Sequence, residues 1–308
     1  MLRVVVLGVA AGGGVPQWNC NCDNCRAARA APSLRATQAS IAFSNDGEHW
    51  FLVNASPDLR HQIMATPQLH PAAGRLRHSP IAGVILTNGE VDAVAGLLSL
   101  REGSPFTIHA HPRVLATLRA NSIFNVLDVA LVRREPVALD QAFEPRLPGG
   151  AASGLEILPF AVPGKRAWYL EGEDDPAEAD EPGDTIGLRI ADTRSGAHFY
   201  FLAACAAVMP ALAQRLTGAP LVFFDGTLWR DDELVAAGLG RKTGRRMGHM
   251  AMSGADGAIA ALADLGIGRK IFLHINNSNP VLRPGSAERA AAERAGWEIP
   301  TDGMEIVL

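Results

Sequence analysis

Cys20-Asn21-Cys22-Asp23-Asn24-Cys25 puts three thiols within six positions, just after a Gly- and Pro-rich turn. Three thiolates in one tight polar turn can meet a single soft or borderline cation. Zinc prefers four tetrahedral ligands, with sulfur at roughly 2.3 Å, and a closed sulfur-rich shell suits a structural site. Pro16 and Trp18 stiffen the approach to the cluster. The motif supplies only three ligands, so the fold must bring a fourth from a distant part of the chain. The remaining cysteine, Cys205, lies in the apolar run Leu202–Ala207 and reads as a small buried hydrophobe. Four cysteines in 308 residues are too few for a disulfide scaffold.

Around this cluster the chain alternates short β-branched or aromatic runs with Ala/Leu-rich stretches. Strands are expected at Arg3–Val9, Ile41–Phe43, Trp50–Val53, Gly83–Leu86, Thr107–Ala110, Ile186–Ile190, His198–Leu202, Leu221–Phe224, Lys270–His274 and Glu305–Val307. Helices are expected at Pro57–Thr66, Asp92–Leu100, Pro112–Ala120, Pro210–Leu216, Gly254–Leu265 and Ser286–Ala295. This alternation predicts α/β layers, sheets inside and helices outside, in one domain over residues 1–308. The acidic, Pro-containing stretch Gly172–Asp184 reads as a solvated loop, with a substrate lid as the alternative.

With 48% apolar and 19% charged residues the chain can bury a sizeable core, which excludes disorder as its main state. A net charge of −4 gives no general affinity for nucleic acid or an anionic membrane surface. The start, Met1-Leu2-Arg3-Val4-Val5-Val6-Leu7-Gly8, reads as a first strand rather than a signal peptide. No apolar run approaches the roughly 18 residues of a membrane span. The expectation is a soluble, cytoplasmic protein.

Three strand ends carry polar chemistry. Val84-Ile85-Leu86-Thr87 leads into Asn88-Gly89-Glu90-Val91-Asp92-Ala93 and then a helix. Alternate residues of such a turn point to one side, and the arrangement resembles the metal loop of the metallo-β-lactamase fold, His-x-His-x-Asp-His. Asn88, Glu90, Asp92 and Ala93 occupy the four ligand positions, so only the Asp is kept. Without a metal, Asp92 would serve as a helix cap. Phe223-Phe224-Asp225 ends a second strand in a carboxylate, and Leu273-His274 ends a third in a histidine followed by three amides, Asn276, Asn277 and Asn279. His249 stands in Met247-Gly248-His249-Met250, read as lying just before a helix. Strand-end loops are where α/β folds place their sites.

These segments together resemble the pyrroloquinoline quinone (PQQ) biosynthesis protein B family of the metallo-β-lactamase superfamily. The carriers are Leu7-Gly8 through Gly12-Gly13-Gly14-Val15-Pro16-Gln17-Trp18-Asn19-Cys20-Asn21-Cys22, Gly96–Gly103, Phe224-Asp225-Gly226-Thr227, Met247-Gly248-His249-Met250 and His274-Ile275-Asn276-Asn277. The triple glycine is not a phosphate loop, because no Lys-Ser/Thr follows it. The resemblance implies an αββα sandwich and an iron-dependent, dioxygen-using hydroxylase acting on the tyrosine ring of a Glu–Tyr-derived PQQ precursor. It also implies likeness to superfamily phosphodiesterases that carry the three-cysteine structural zinc site. Carried over, Asp225 and His249 form an acid/base pair and His274 is a metal ligand.

The departures narrow the chemistry. No histidine stands at Ala93 or near Pro163-Gly164-Lys165, and no aspartate near Ala203-Ala204-Cys205. A dinuclear zinc hydrolase needs more converging ligands than Glu90, Asp92 and His274. A single ferrous ion is the better match, with His249 available to complete two histidines and a carboxylate at the cost of its acid/base role. His274 is claimed by two sites. It would serve either the cleft or, as the slightly favoured reading, the zinc of Cys20, Cys22 and Cys25, since Asn277 is a poor zinc ligand.

A competing function is a non-catalytic carrier that binds or transports the finished quinone. Arg241, Lys242, Arg245 and Arg246 support it, with Arg245 and Arg246 as the residues expected to pair with the product's carboxylates. A metal-dependent phosphodiesterase is the weaker third reading. The partners expected are a small-molecule or short-peptide precursor and other proteins of the same pathway. A homodimer is left open, and neither nucleic acid nor membrane is expected.

Overall fold

A computed structural model describes residues 1–170 and 181–308. Its first strand shows how the layers arise. In β1 (Arg3–Gly8), Val4 and Val6 pack into one core while Val5 and Leu7 pack into another, on the opposite face. Successive side chains of a strand point to opposite faces, so a strand apolar at every position must be covered on both. The described strands after it are β2 (Ser40–Ser44), β3 (Trp50–Val53), β4 (Ile81–Leu86), β5 (Phe106–Ala110), β6 (Val132–Pro136), β7 (Leu155–Ala161), β8 (Ile186–Asp192), β9 (His198–Leu202), β10 (Leu221–Asp225), β11 (Arg269–Leu273), β12 (Trp297–Glu298) and β13 (Glu305–Val307).

They form two sheets. One has the order β13-β1-β2-β3-β4-β5-β6 and the other β12-β11-β10-β9-β8-β7. Each pairs antiparallel in part (β13-β1-β2-β3 and β9-β8-β7) and parallel in part (β3-β4-β5-β6 and β12-β11-β10-β9). Phe43, Phe51 and Ile85 of the first sheet share a core with Phe199, Phe201 and Phe223 of the second. The outer face of the first sheet is covered by Leu59, Leu97, Val114, Leu115 and Leu118 from the helical segments. Leu212, Leu216, Ala258 and Leu262 cover the second sheet. This is the αββα sandwich expected.

Three strands escaped the sequence reading: β6, β7 and β12. All are sheet edges. Edge strands carry charge or proline because one side must not pair further. β6 reads Val-Arg-Arg-Glu-Pro and β7 has Pro159 inside it, which hides both behind loop-like composition. The helix expected over Gly254–Leu265 shrinks to Ala258–Ala261, and that over Asp92–Leu100 becomes Val91–Val94 followed by a 3₁₀ stretch. Helix Asp23–Ala30 was not expected at all. Cys22 is its N-cap residue and Cys25 lies inside it, so the thiols straddle a helix start rather than a free turn.

Of the acidic stretch, 172–180 lies outside the described residues. At its end Glu181 and Asp184 each reach Arg113 at 2.7 Å. No helix among the described residues is long and apolar enough to cross a membrane. Two crossings between the sheets build the site. Ala10 bridges Ile275 and Asn88 bridges Thr185. The first lays the loop after β1 against the loop after β11; the second ties the loop after β4 to the start of β8.

Candidate functional site

The bridge at Ala10 and Ile275 delivers a distant segment to the cysteines. The sulfurs of Cys20, Cys22 and Cys25 lie within 4.8 Å of one another, a spread that three ligands of one cation fit. The residue that faces them is Asn277, whose side-chain N–H₂ points at Cys25 Sγ (3.3 Å) and Cys22 Sγ (3.6 Å). Asn24 clamps that segment by donating to the carbonyls of Asn277 and Asn279 at 2.9 and 2.8 Å. The Gln17 N–H points at Cys25 Sγ at 3.3 Å. Arg29 gathers the loop by donating to the carbonyls of Gln17 and Cys20. Burial, with the neighbouring Cys25 adding to it, pushes the Cys22 thiol up to about 11. Burial also works against the Cys20 thiolate, but hydrogen bonds from Cys22, Cys25 and Asn277 bring that thiol below its ordinary value. N–H groups converging on sulfur and a shared thiol position suit a thiolate-bound cation.

His274 is not part of this corner, which corrects the expectation that it would be the fourth ligand. It follows β11 in the left-handed region, φ 57°. A non-glycine residue rarely sits there, and here the turn aims the ring away from the cysteines and into the cleft. Its Nε2 lies 2.8 Å from Asp92 Oδ2 and its Nδ1 2.8 Å from Thr227 Oγ1.

The cleft encloses ≈ 350 Å³, lined by Glu90, Asp92, Lys165, Trp168, His249 and His274 among others. Asn88 shapes its floor by accepting from Glu90 N–H at 2.9 Å. Asp92 falls in the first helical turn, and its carboxylate goes to His274. Burial disfavours the charge on both, yet the pair wins. Hydrogen bond and charge together hold Asp92 below the usual carboxylate range and push His274 above the usual histidine value. Glu90 was expected as a ligand. The structure brings it to the cleft but commits Oε1 to Lys165 Nζ (3.1 Å) and to the Trp168 N–H (3.0 Å). Burial raises its carboxyl, and Lys165 opposes the rise. Tyr169 Oη donates to the Gly89 carbonyl at 2.7 Å, so residues 165–170 strap the loop after β4.

Across from Asp92, Asp225 at the end of β10 is fully buried. Its Oδ2 accepts from Cys205 N–H (2.9 Å) and His249 Nδ1 (2.7 Å), and its Oδ1 from Thr227 N–H (3.0 Å) and Thr227 Oγ1 (2.7 Å). Four donors use the lone-pair directions of a carboxylate, so Asp225 orients His249, and one oxygen of Asp225 and one ring nitrogen each of His249 and His274 lie within 4.8 Å of one another. Asp225 and His249, expected as a pair, are in contact. The setting of His249 differs from the expectation, because no helix opens there. A 3₁₀ turn, Arg245–Met247, and Gly248 at φ 85° bring it in, and Met250 N–H bonds Cys205 O at 2.9 Å. The two imidazole rings stack with centroids 5.0 Å apart.

Arg245 and Arg246 do not line the cleft, which corrects their expected role as product-binding residues. Arg245 turns outward to Asp256 at 2.9 Å. Among the described residues, the lysines that line the cleft are Lys165 and Lys242. The sequence reading missed Thr227 and Trp168 as site residues, and it set Asn277 aside as a poor zinc ligand although the structure places it against the sulfurs. Thr227 sits in Asp-Gly-Thr directly after a buried strand, which was the available signal.

A profile of the β-lactamase superfamily domain matches residues 49–275. The chain is 69% identical to the coenzyme PQQ synthesis protein B of Bradyrhizobium diazoefficiens over 100% of both chains. It is 58% identical to the protein of that name from Gluconacetobacter diazotrophicus over 99% of both. Among solved structures, Zn²⁺-bound PqqB from Methylobacterium extorquens superposes with a TM-score of 0.93 at 49% identity, covering 99% of this chain and 100% of that one. A diphosphatase of the PhnP family, 18% identical with a TM-score of 0.70 over 100% of this chain and 98% of that one, shares the fold.

Proposed function

The chain belongs to the coenzyme PQQ synthesis protein B family of the β-lactamase superfamily, and from that premise we propose that it hydroxylates the tyrosine-derived ring of a Glu–Tyr PQQ precursor, using ferrous iron and dioxygen. A role in PQQ synthesis follows from the family. The hydroxylation rests on one observation: two histidines and one carboxylate, His249, His274 and Asp92, line the same cleft. That donor set with open positions is the one non-haem ferrous oxygenases use. The separation of 2.8 Å between Asp92 Oδ2 and His274 Nε2 is close to the roughly 3 Å between adjacent ligands of one octahedral ion.

Bound there, the iron would supply dioxygen activation. In the balanced reaction a ring C–H becomes C–OH and the second oxygen leaves as water, with two electrons and two protons from an external reductant. The chain's own residues do the rest. Asp225 and Thr227 hold the inward nitrogens of the histidines. Trp168 offers a flat apolar wall to an aromatic ring, and Lys165 and Lys242 place positive charge near a substrate rich in carboxylates. Zinc belongs, in this reading, to Cys20, Cys22 and Cys25, where the soft donors fit it and where the Asn277 side chain faces the sulfurs. One domain over residues 1–308 is part of the same reading.

The test is anaerobic loading with ferrous iron, then dioxygen, a reductant and a Glu–Tyr precursor. The expected result is dioxygen uptake coupled to a gain of one oxygen atom in the product. A protein that takes up no iron and consumes no dioxygen, yet binds the finished quinone tightly, would be a carrier instead. The lysines of the cleft favour that second reading.

A further inference from the structure

We propose that Thr227 is a positioning residue that keeps the inward nitrogen, Nδ1, of His274 protonated, as Asp225 does for His249, so that Nε2 is the atom each ring turns to the cleft. The hydroxyl is placed by a turn that needs glycine. A Cβ on Gly226 would stand 2.9 Å from Phe272 Cβ, closer than such atoms approach, so only glycine lets the chain cross β11 here. Thr227 O then accepts from Asn276 N–H at 3.0 Å, and the side chain lies buried beneath both rings.

Its single oxygen meets four groups: Asp225 Oδ1 at 2.7 Å, His274 Nδ1 at 2.8 Å, His274 O at 3.0 Å and His249 Nδ1 at 3.1 Å. A hydroxyl has one proton and two acceptor directions. The carboxylate can only accept and is the nearest and the charged partner, so the hydroxyl proton goes to Asp225. The oxygen that remains is an acceptor. His274 Nδ1 must therefore donate to it, and His249 Nδ1 donates to Asp225 Oδ2 with Thr227 as its second, longer partner. The hydroxyl thus sets the protonation of His274 and touches the second ring, which stacks on the first at 5.0 Å. The two are not held alike. His249 keeps a carboxylate if the hydroxyl is removed, whereas Thr227 is the side chain that meets His274 Nδ1. Outer partners of this kind fix ring orientation and ligand basicity in metal sites.

This assignment draws its meaning from the cleft reading above, but its test needs neither metal nor substrate. The full chain, labelled with ¹⁵N-histidine and free of added iron, is examined by long-range ¹H–¹⁵N correlation, with His249→Gln and His274→Gln identifying the two rings. The expected wild-type signature is a slowly exchanging, hydrogen-bonded Nδ1–H on both. Thr227→Val keeps the shape and removes the acceptor; the His274 Nδ1–H signal should be lost while that of His249 persists. Thr227→Ser should restore it. If Thr227→Val does not give a native amide spectrum, Thr227→Cys, with a weaker acceptor in a similar volume, should weaken the same signal. Unchanged His274 signals in a natively folded Val or Cys variant, or a natively folded Ser variant that fails to restore them, would overturn the proposal. A protein that shows these signatures and still takes up no iron keeps this role for Thr227 and loses the oxygenase reading.

Discussion

The cysteine corner and the cleft share a stretch of chain and are built in opposite ways. The corner draws three donors from six consecutive residues, and Asn277 from elsewhere donates its N–H₂ to their sulfurs. The cleft gathers donors from the ends of β4 and β11 and from the loop at His249; the Asp92–His274 contact alone spans 182 residues. The corner leaves sulfurs crowded, with the Cys22 thiol pushed up to about 11. The cleft balances its own charges, Asp92 against His274 and Glu90 against Lys165. A site that satisfies itself keeps its geometry without an ion and is suited to exchange one during chemistry. A site that does not is suited to hold an ion permanently.

The largest expected effect follows from that asymmetry. Cys22→Ser should take the corner from about one zinc per chain to none, because the binding free energy of a structural ion is folding free energy. Stability should fall by several kcal/mol, on the order of 3 or more, read by urea unfolding with zinc assayed on the same sample. A variant that loses its zinc without losing stability would make the corner an exchangeable site and erase the contrast.

Asp92→Ala comes next. Uptake of ferrous iron by the cleft should drop from about one ion per chain to none, with the corner's zinc retained. Stability should fall by about 1 to 2 kcal/mol, since the Asp92–His274 pair is only partly buried and water can replace the carboxylate. Loss of zinc together with iron would show the two regions to be one cooperative unit.

The same asymmetry decides what a reader of the sequence can see. Three cysteines in six positions are legible because their spacing is local. Trp50–Val53, His198–Leu202 and Glu305–Val307 are legible because strand composition is local too, and their ends match the expectation. The edge strands Val132–Pro136 and Leu155–Ala161 are not, because solvent exposure gives them the composition of loops. Asp92, Asp225, His249 and His274 could be picked as residues, and Asp225 could be paired with His249, but the partner of His274 could not be read. Whether His274 meets sulfur or Asp92 depends on a left-handed backbone turn at that residue, which composition does not encode. The outward turn of Arg245 depends on Asp256 in a neighbouring loop. Thr227 was invisible as a hub because its four contacts come from three segments.

A smaller effect probes a close approach between the regions. The glycine loop that leads to the cysteines passes so close to the cleft that a Cβ on Gly12 would stand 3.3 Å from Asp92 Oδ2. Gly12→Ala should push that carboxylate by a few tenths of an ångström. Ferrous affinity should weaken by about threefold to tenfold, roughly 1 kcal/mol, with zinc content unchanged. Titration of both metals into the variant checks this; equal weakening at the corner would mean the loop itself has shifted.

The last effect, on stability with both metal contents unchanged, lies beneath both regions. Segment 36–38 supports them together, since Val15 pairs with Ala36, Ala10 with Gln38, and Gly13 N–H donates to Gln38 Oε1. Asp302 props that segment by accepting from the N–H and hydroxyl of Thr37, both at 2.7 Å, while its other oxygen is buried without a partner. Burial pushes the Asp302 carboxyl up to about 6, against the bonds from Thr37. A carboxyl raised on folding binds more protons in the folded state than in the unfolded one. Its contribution is therefore complete below about pH 4 and is lost as pH rises through about 6. Across that window it should cost about 1 to 2 kcal/mol. Asp302→Asn keeps an acceptor for Thr37 and removes the charge. Urea unfolding at about pH 4 and about pH 7 should show a smaller difference between the two conditions for the variant than for the wild type, with the variant the more stable at neutral pH. Zinc and iron contents should stay as they are. If Asp302→Asn lowers iron uptake alone, the support under the two regions is not shared and the cleft leans on it by itself.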